Sequence, residues 1–338
     1  MKRDTFGKCV FFALVVIVLF YLDLSAVEVK LPQGAGAWIT GKALYSYTSA
    51  APMKVEAAAV KNIADSLMAR ATTGVSFDKM VPYQGGILYT SAKDPSAILD
   101  FEPDTGAFVF NAGMLKYSQE GITPGLPKSE QAITLAKKYL TDLNYFPKNE
   151  KELSKGYVGG LSMGVQRDDG SRALYQKLVT VYFGRVIDNL PVMGVGSRIV
   201  VHLGENGQLV GIVRNWVEVQ KGIKAAAAQL RTDAEIKREI LKQIQTDLST
   251  AKTVNVDKSD LVLYDDGRGV IEPAIYVEAL SEFEKIDPKT RKKETYKTPY
   301  DCYVPVFKSS KAYYPSLEHL DKTKPIAAPK NDQNPSGT

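Results

Sequence analysis

The sequence predicts an α+β protein made of repeated helix plus antiparallel β-hairpin units, with curled sheets packed on helices. The order helix, strand, tight turn, strand occurs three times along the 338 residues. Each turn is built on Asp, Asn or Gly, and the helical patterns stand apart from the hairpins instead of alternating with single strands.

The first element lies ahead of that pattern. Lys2, Arg3 and Lys8 with Asp4 make a basic start, an unbroken apolar run follows from Cys9 to Leu22, and Leu24-Ser25-Ala26 offers small residues. This is the order of a secretory signal, with cleavage expected after Ala26. The run is shorter than the roughly 20 residues that span a bilayer. An uncleaved anchor is the alternative, and it would be the chain's only membrane contact. Both readings place the rest of the chain outside the cytoplasm: secreted, periplasmic or on the outer cell surface.

The first unit, residues 27–122, has a helix at 53–70 with Val55, Ala59, Ile63 and Leu67 at helical spacing. Strands are expected at Gly86–Thr90 and 97–101, and the turn Glu102-Pro103-Asp104-Thr105-Gly106 leads into Ala107–Asn111. The second unit, 123–222, opens with a helix capped by Ser129 that runs to about 144 and buries Ala132, Ile133, Ala136, Leu140 and Leu143. Phe146-Pro147 stops it. Strands follow at 174–186, Arg198–Leu203 and 208–219, the last two joined through Asn206-Gly207, residue types that tolerate positive φ. Residues 222–229 are a linker or the entry to the third helix.

In the third unit, 229–320, Thr232 and Glu235 form a capping box ahead of Ile236, Ile240, Leu241 and Ile244. Strands at 261–264 and 270–279 flank Asp265-Asp266-Gly267, and a strand at 300–308 adds to them. The stretch 321–338 has too little apolar surface to order itself and reads as a tail.

Composition excludes several functions. Net charge is +5, or +4 once residues 1–26, with three cations and two acids, are set aside. The cations are dispersed, and the cluster at 289–293 is flanked by acids, so no basic face for nucleic acid is expected. Cys9 departs with the signal, leaving Cys302 as a lone thiol and no intramolecular disulfide. Flanked by tyrosine, Cys302 reads as a small buried hydrophobe.

Gly160-Leu161-Ser162-Met163-Gly164 matches the G-x-S-x-G nucleophile elbow, which works only between a strand and a helix with a base behind it. A turn follows it here, and the two histidines are His202, inside a strand, and His319, near the tail. Gly160, Ser162 and Gly164 are therefore read as structural. Two distant histidines and one thiol do not make a zinc site. Asp168-Asp169 and Asp265-Asp266 each precede glycine and read as turn residues rather than calcium ligands. Gly194-Val195-Gly196 lacks the third glycine of a dinucleotide loop. No cofactor, metal or catalytic residue is expected.

Two stretches carry a resemblance: Val181-Tyr182-Phe183-Gly184-Arg185-Val186-Ile187-Asp188-Asn189-Leu190-Pro191-Val192-Met193-Gly194, and 197–210 with Val200-Val201-His202-Leu203-Gly204. Together with the helix from Ser129, residues 126–218 resemble the PepSY domain and the propeptide of thermolysin-like metallopeptidases. Asn189 stands where that pattern has glycine. The resemblance implies a curled antiparallel sheet against a helix that binds, inhibits or assists the folding of a peptidase, without catalysing anything itself. The function expected is thus an exported, non-catalytic protein-binding module whose partner is another exported protein, a peptidase among the candidates. A structural or assembly component of the cell envelope is the alternative, and a serine hydrolase using Ser162 ranks third. Contact is expected at an exposed sheet edge or face, by strand addition. Tyr175, Tyr182 and Trp216 are the candidate contact residues, although strand aromatics also serve as core or cross-strand pairs.

Overall fold

The computed structural model describes residues 27–50, 55–71, 74–120, 125–220, 222–287 and 290–314. The export segment, His319 and the tail lie outside the described residues. Strands β1 (Glu28–Lys30) and β2 (Tyr45–Thr48) precede helix α1 (Ala57–Ala71). A meander of β3 (Lys79–Tyr83), β4 (Gly86–Thr90), β5 (Ile98–Glu102) and β6 (Ala107–Asn111) follows. Helix α2 (Ser129–Asp142) then leads into β7 (Tyr157–Gln166) and β8 (Arg172–Phe183). Next come the short strands β9 (Arg185–Ile187) and β10 (Leu190–Gly194), then β11 (Arg198–Leu203) and β12 (Leu209–Asn215). The chain closes with β13 (Ile223–Lys224), helix α3 (Asp233–Asp247), β14 (Thr253–Asp265), β15 (Val270–Ile286) and β16 (Lys293–Pro305).

These strands form two eight-stranded sheets. The first is antiparallel throughout, in the order β3-β4-β5-β6-β12-β11-β8-β7. The second runs β13-β2-β15-β14-β10-β9, with β1 on β14 and β16 on β15; β1 and β10 both lie parallel to β14.

The expected series of helix-plus-hairpin repeats is therefore corrected: among the described residues this is a β-rich fold of two large sheets and three helices. The reason is the unpaired edge that a two-stranded hairpin leaves on each side. β6 closes its edge against β12, which welds the first meander to strands about a hundred residues later. β9 and β10 leave the first sheet altogether: β10 pairs with β14, and β9 with β10. Both expected unit boundaries are crossed by sheet membership.

Helices α1 and α2 cover one face of the first sheet. Val60, Ala64 and Leu67 of α1, with Ala132, Ala136 and Leu140 of α2, meet Phe101, Phe110, Val181, Phe183, Ile199 and Ile212 in one core. The alanines of α2 let its backbone approach the sheet closely. Ile236, Ile240 and Ile244 of α3 pack on Val254, Ile275, Val277 and Val304 of the second sheet, with Trp38 and Cys302 in the same core. Helix starts differ from expectation by little. Ser129 is the first helical residue of α2 and Lys128 its cap, while Thr232 and Glu235 form the expected box on α3. The turn at Asn206-Gly207 has φ of 54° and 75°, as that pair requires.

Candidate functional site

In β11, Ile199, Val201 and Leu203 point into the core while Val200 and His202 face the other way. The strand period carries that alternation across the sheet, so each residue paired with Val200 shares its face. One row crosses all eight strands: Val81, Leu88, Asp100, Val109, Val213, Val200, Tyr182 and Tyr157. Seven of the eight are apolar or aromatic, and none belongs to the core under α1 and α2. An antiparallel sheet open to water on one side ordinarily alternates apolar-in with polar-out. Along this row the open side is apolar too, as at a surface that meets something. The row beside it, from Lys79 and Thr90 through Asn111, His202 and Thr180, is largely polar. The segment around Met114 and Tyr117 covers only the part near Leu178 and Val210.

This face ends at β7, the last strand of the sheet. No other described strand pairs with its outer edge. Its sequence, Tyr-Val-Gly-Gly-Leu-Ser-Met-Gly-Val-Gln, has no charge and no proline over ten residues, roughly 34 Å of strand. Proteins usually blunt a free edge with Lys, Pro or brevity. The other edges of this molecule show those devices: β3 carries Lys79 and Pro82, β16 carries Lys293, Lys297 and Pro299, and β9 and β13 are three and two residues long. β7 has none of them. Tyr157 is 71% exposed and Leu161 50% exposed.

The hairpin behind this edge is braced from within. A bulge opposite Leu161 and Ser162 leaves Lys177 of β8 unmatched, and its ammonium turns inward to the Gln119 carbonyl (2.6 Å), 5.1 Å from the Tyr175 ring centre. Arg167 donates to Glu120 (2.7 Å) and to the Tyr175 hydroxyl (3.1 Å), tying the hairpin tip to the segment after β6. The edge is thus presented on a fixed strand.

The sequence-derived candidates separate. Tyr182 stands on the open face beside Tyr157 and is 37% exposed. Tyr175 is half-buried and engaged by Lys177 and Arg167. Trp216 is 2% exposed, inside the helix-covered core with the Arg185 guanidinium over its ring, so it offers no surface. Gly160, Ser162 and Gly164 all lie inside β7, not at a strand-to-helix turn. Ser162 pairs with Gln176, whereas His202 sits two strands away, level with Gly159 through Thr180. The alternation of β7 puts Ser162 on the opposite face from Gly159. His202 takes the Thr180 hydroxyl as partner (3.1 Å), and burial pulls its pKa down.

Three of the four aspartates in the two acidic pairs accept hydrogen bonds from within the fold. Asp169 accepts the Ser171 N–H, Asp265 accepts from Ser197 and Gly267, and Asp266 accepts the N–H groups of Arg268 and Tyr313. Among the described residues no three His, Cys, Asp or Glu side chains are grouped to hold a metal ion. Burial pushes the Cys302 thiol up to about 12. No described helix is long and apolar enough to cross a membrane.

The outer edge of β7 was missed in the sequence because glycine at 159, 160 and 164 hides the strand's alternation. The absence of any charge or proline over ten residues was the available signal.

Comparison with known proteins identifies no family. No family model matches the chain, and no curated protein matches it. A crystal structure of an uncharacterised protein from Eubacterium rectale is similar at a TM-score of 0.46 and 10% identity, over 84% of this chain and 88% of that one.

Proposed function

We propose that this chain is an exported, non-catalytic module that binds another protein by taking an extended segment of it as a further strand on β7. The observation that carries the proposal is the uncharged, proline-free free edge of β7, continuous with an apolar row on the open face. Strand addition supplies backbone hydrogen bonds along the edge, and alternate side chains of the guest meet Tyr157, Leu161 and Tyr182. The signal-like start supports an exported setting. The propeptide-like stretch makes an exported peptidase the partner class to test first.

The test uses the chain in its native export background with a photoreactive phenylalanine in place of Leu161, and a control carrying it in place of Ile223. The expected result is a crosslink to a second protein from Leu161 alone. In the purified pair, new amide-exchange protection is expected over Tyr157–Gln166. Leu161→Lys is expected to weaken the pair at least tenfold, about 1.4 kcal/mol. Protection confined to other strands, or a crosslink only to another copy of this chain, would overturn the proposal.

A further inference from the structure

A recess lies where the helix layer and the first sheet part, lined by none of the residues of β7. It has a volume of about 560 Å³ and lies between α1, the end of α2, the β5–β6 turn and the segment following β12. Its apolar wall includes Ile63, Phe101, Leu143, Phe146 and Trp216. Small-molecule sites run from about 300 to 1,000 Å³, mostly apolar with a few convergent polar groups. This recess has that size and that balance.

Its polar group is Arg214. The alternation of β12 points this side chain to the helix-covered side, where an apolar residue would be the ordinary choice. The guanidinium donates from Nε to the Tyr145 carbonyl (3.2 Å) and from Nη1 to the carbonyls of Trp216 (3.1 Å) and Gly106 (3.4 Å). All three acceptors are neutral. No described carboxylate lies within ion-pair distance of it; Glu218, also on the rim, acts on its charge only at longer range and accepts the backbone N–H of Lys148 (3.3 Å). A guanidinium keeps its charge, and this one is half-buried with no carboxylate in contact, which leaves that charge poorly compensated. The Trp216 ring forms part of the wall, and its buried Nε1–H has no hydrogen-bond partner in the fold.

We infer that this recess is a binding site for a small amphipathic carboxylate, its acyl or aryl body among Ile63, Phe101, Leu143 and Phe146 and its carboxylate on Arg214. The carboxylate supplies a counter-charge in direct contact with the guanidinium, and Lys148 on the rim adds to the field that draws it in. The inference is independent of the β7 reading and stands or falls without it.

Titration calorimetry of the chain with octanoate, octan-1-ol and octylamine tests it. Saturable one-to-one binding of octanoate is expected, with octanol at least tenfold weaker and octylamine silent. Arg214→Gln is expected to bring octanoate down to the octanol level. Because Arg214 also ties three carbonyls, Ile63→Trp serves as a second variant. It fills the recess from the α1 side and leaves Arg214 in place, so binding of octanoate is expected to vanish while the circular dichroism of the fold is kept. No saturable heat with octanoate, equal affinity for octanol, or unchanged binding in Ile63→Trp would each overturn the inference.

Discussion

Arg185 sits where the two sheets meet and is 1% exposed. It pairs with Glu152 (Nε to Oε2, 2.7 Å), donates to the Val217 carbonyl (2.8 Å), and reaches the Ser197 hydroxyl at 3.3 Å. Ser197 in turn donates to Asp265 (2.5 Å), the last residue of β14, so one polar chain joins the strands of both sheets. Gly194 and Gly196 let the backbone pass against Asp265, where a Cβ at either position would collide with it. Burial pushes the Asp265 carboxyl above its ordinary value, and the hydrogen bonds from Ser197 and Gly267, with the Arg185 charge, offset this only in part. The folded chain therefore holds this proton to higher pH than the unfolded chain, whose aspartate titrates near 3.9. The contribution of this group to stability is complete below that unfolded value and is lost as pH rises through the raised folded one. Asp265→Asn keeps an acceptor for Ser197 and removes the titration. Urea unfolding at a series of pH values from about 3.5 upward should show the stability of the wild-type chain falling relative to Asp265→Asn as pH rises. A pH-independent difference between the two would refute the assignment.

At the scale of elements, the hairpin of β9 and β10 depends on its two-residue turn. Ile187 pairs directly with Leu190, so Asp188 and Asn189 make the whole turn, with φ of 50° and 63°. Left-handed backbone costs an ordinary L-residue roughly 1–2 kcal/mol, and Asn is among the residues that tolerate it. Asp188 is also fixed by the Tyr47 hydroxyl, leaving Asn189 as the position to probe. Asn189→Gly should leave stability within about 0.5 kcal/mol, whereas Asn189→Val should lose about 1–2 kcal/mol, measured as a shift in the urea midpoint. Equal midpoints for both variants would show that the turn is not what holds this hairpin.

The same hairpin shows where the sequence could be read and where it could not. The α3 capping box was legible because its bonds, Glu235 N–H to Thr232 Oγ1 (3.2 Å) and Thr232 N–H to Glu235 (2.7 Å), close within four residues. So were the Asn206-Gly207 turn and the alternation of β11, each set by its own residues. That β10 would lie parallel to β14, or β6 antiparallel to β12, is decided by partners far away in sequence, and no local pattern encodes it. The burial of Trp216 is hidden from the sequence for a similar reason. Alternation tells which strand residues share a face but not which face a helix will cover.

On the scale of the whole molecule, the two sheets are not successive in the chain. The backbone begins in the second sheet with β1 and β2, passes to the first for β3–β8, returns for β9 and β10, goes back for β11 and β12, and ends in the second, crossing four times. Neither sheet is therefore built from one continuous stretch of chain. Such interleaving, together with the Arg185–Ser197–Asp265 chain across the junction, should make unfolding a single cooperative event instead of two. The two tryptophans report on the two halves. Trp38 is buried against α3 and donates to the Ser259 carbonyl (3.0 Å) of β14, while Trp216 lies in the core of the first sheet. Trp38→Phe leaves Trp216 as the single reporter, and Trp216→Phe leaves Trp38. In each single-tryptophan chain the fluorescence transition should fall at the same urea concentration as the far-ultraviolet circular dichroism of that same chain, which senses both sheets at once. A fluorescence midpoint displaced from the dichroism midpoint in either variant would mean that one sheet melts while the other stands, and that the crossings do not couple them.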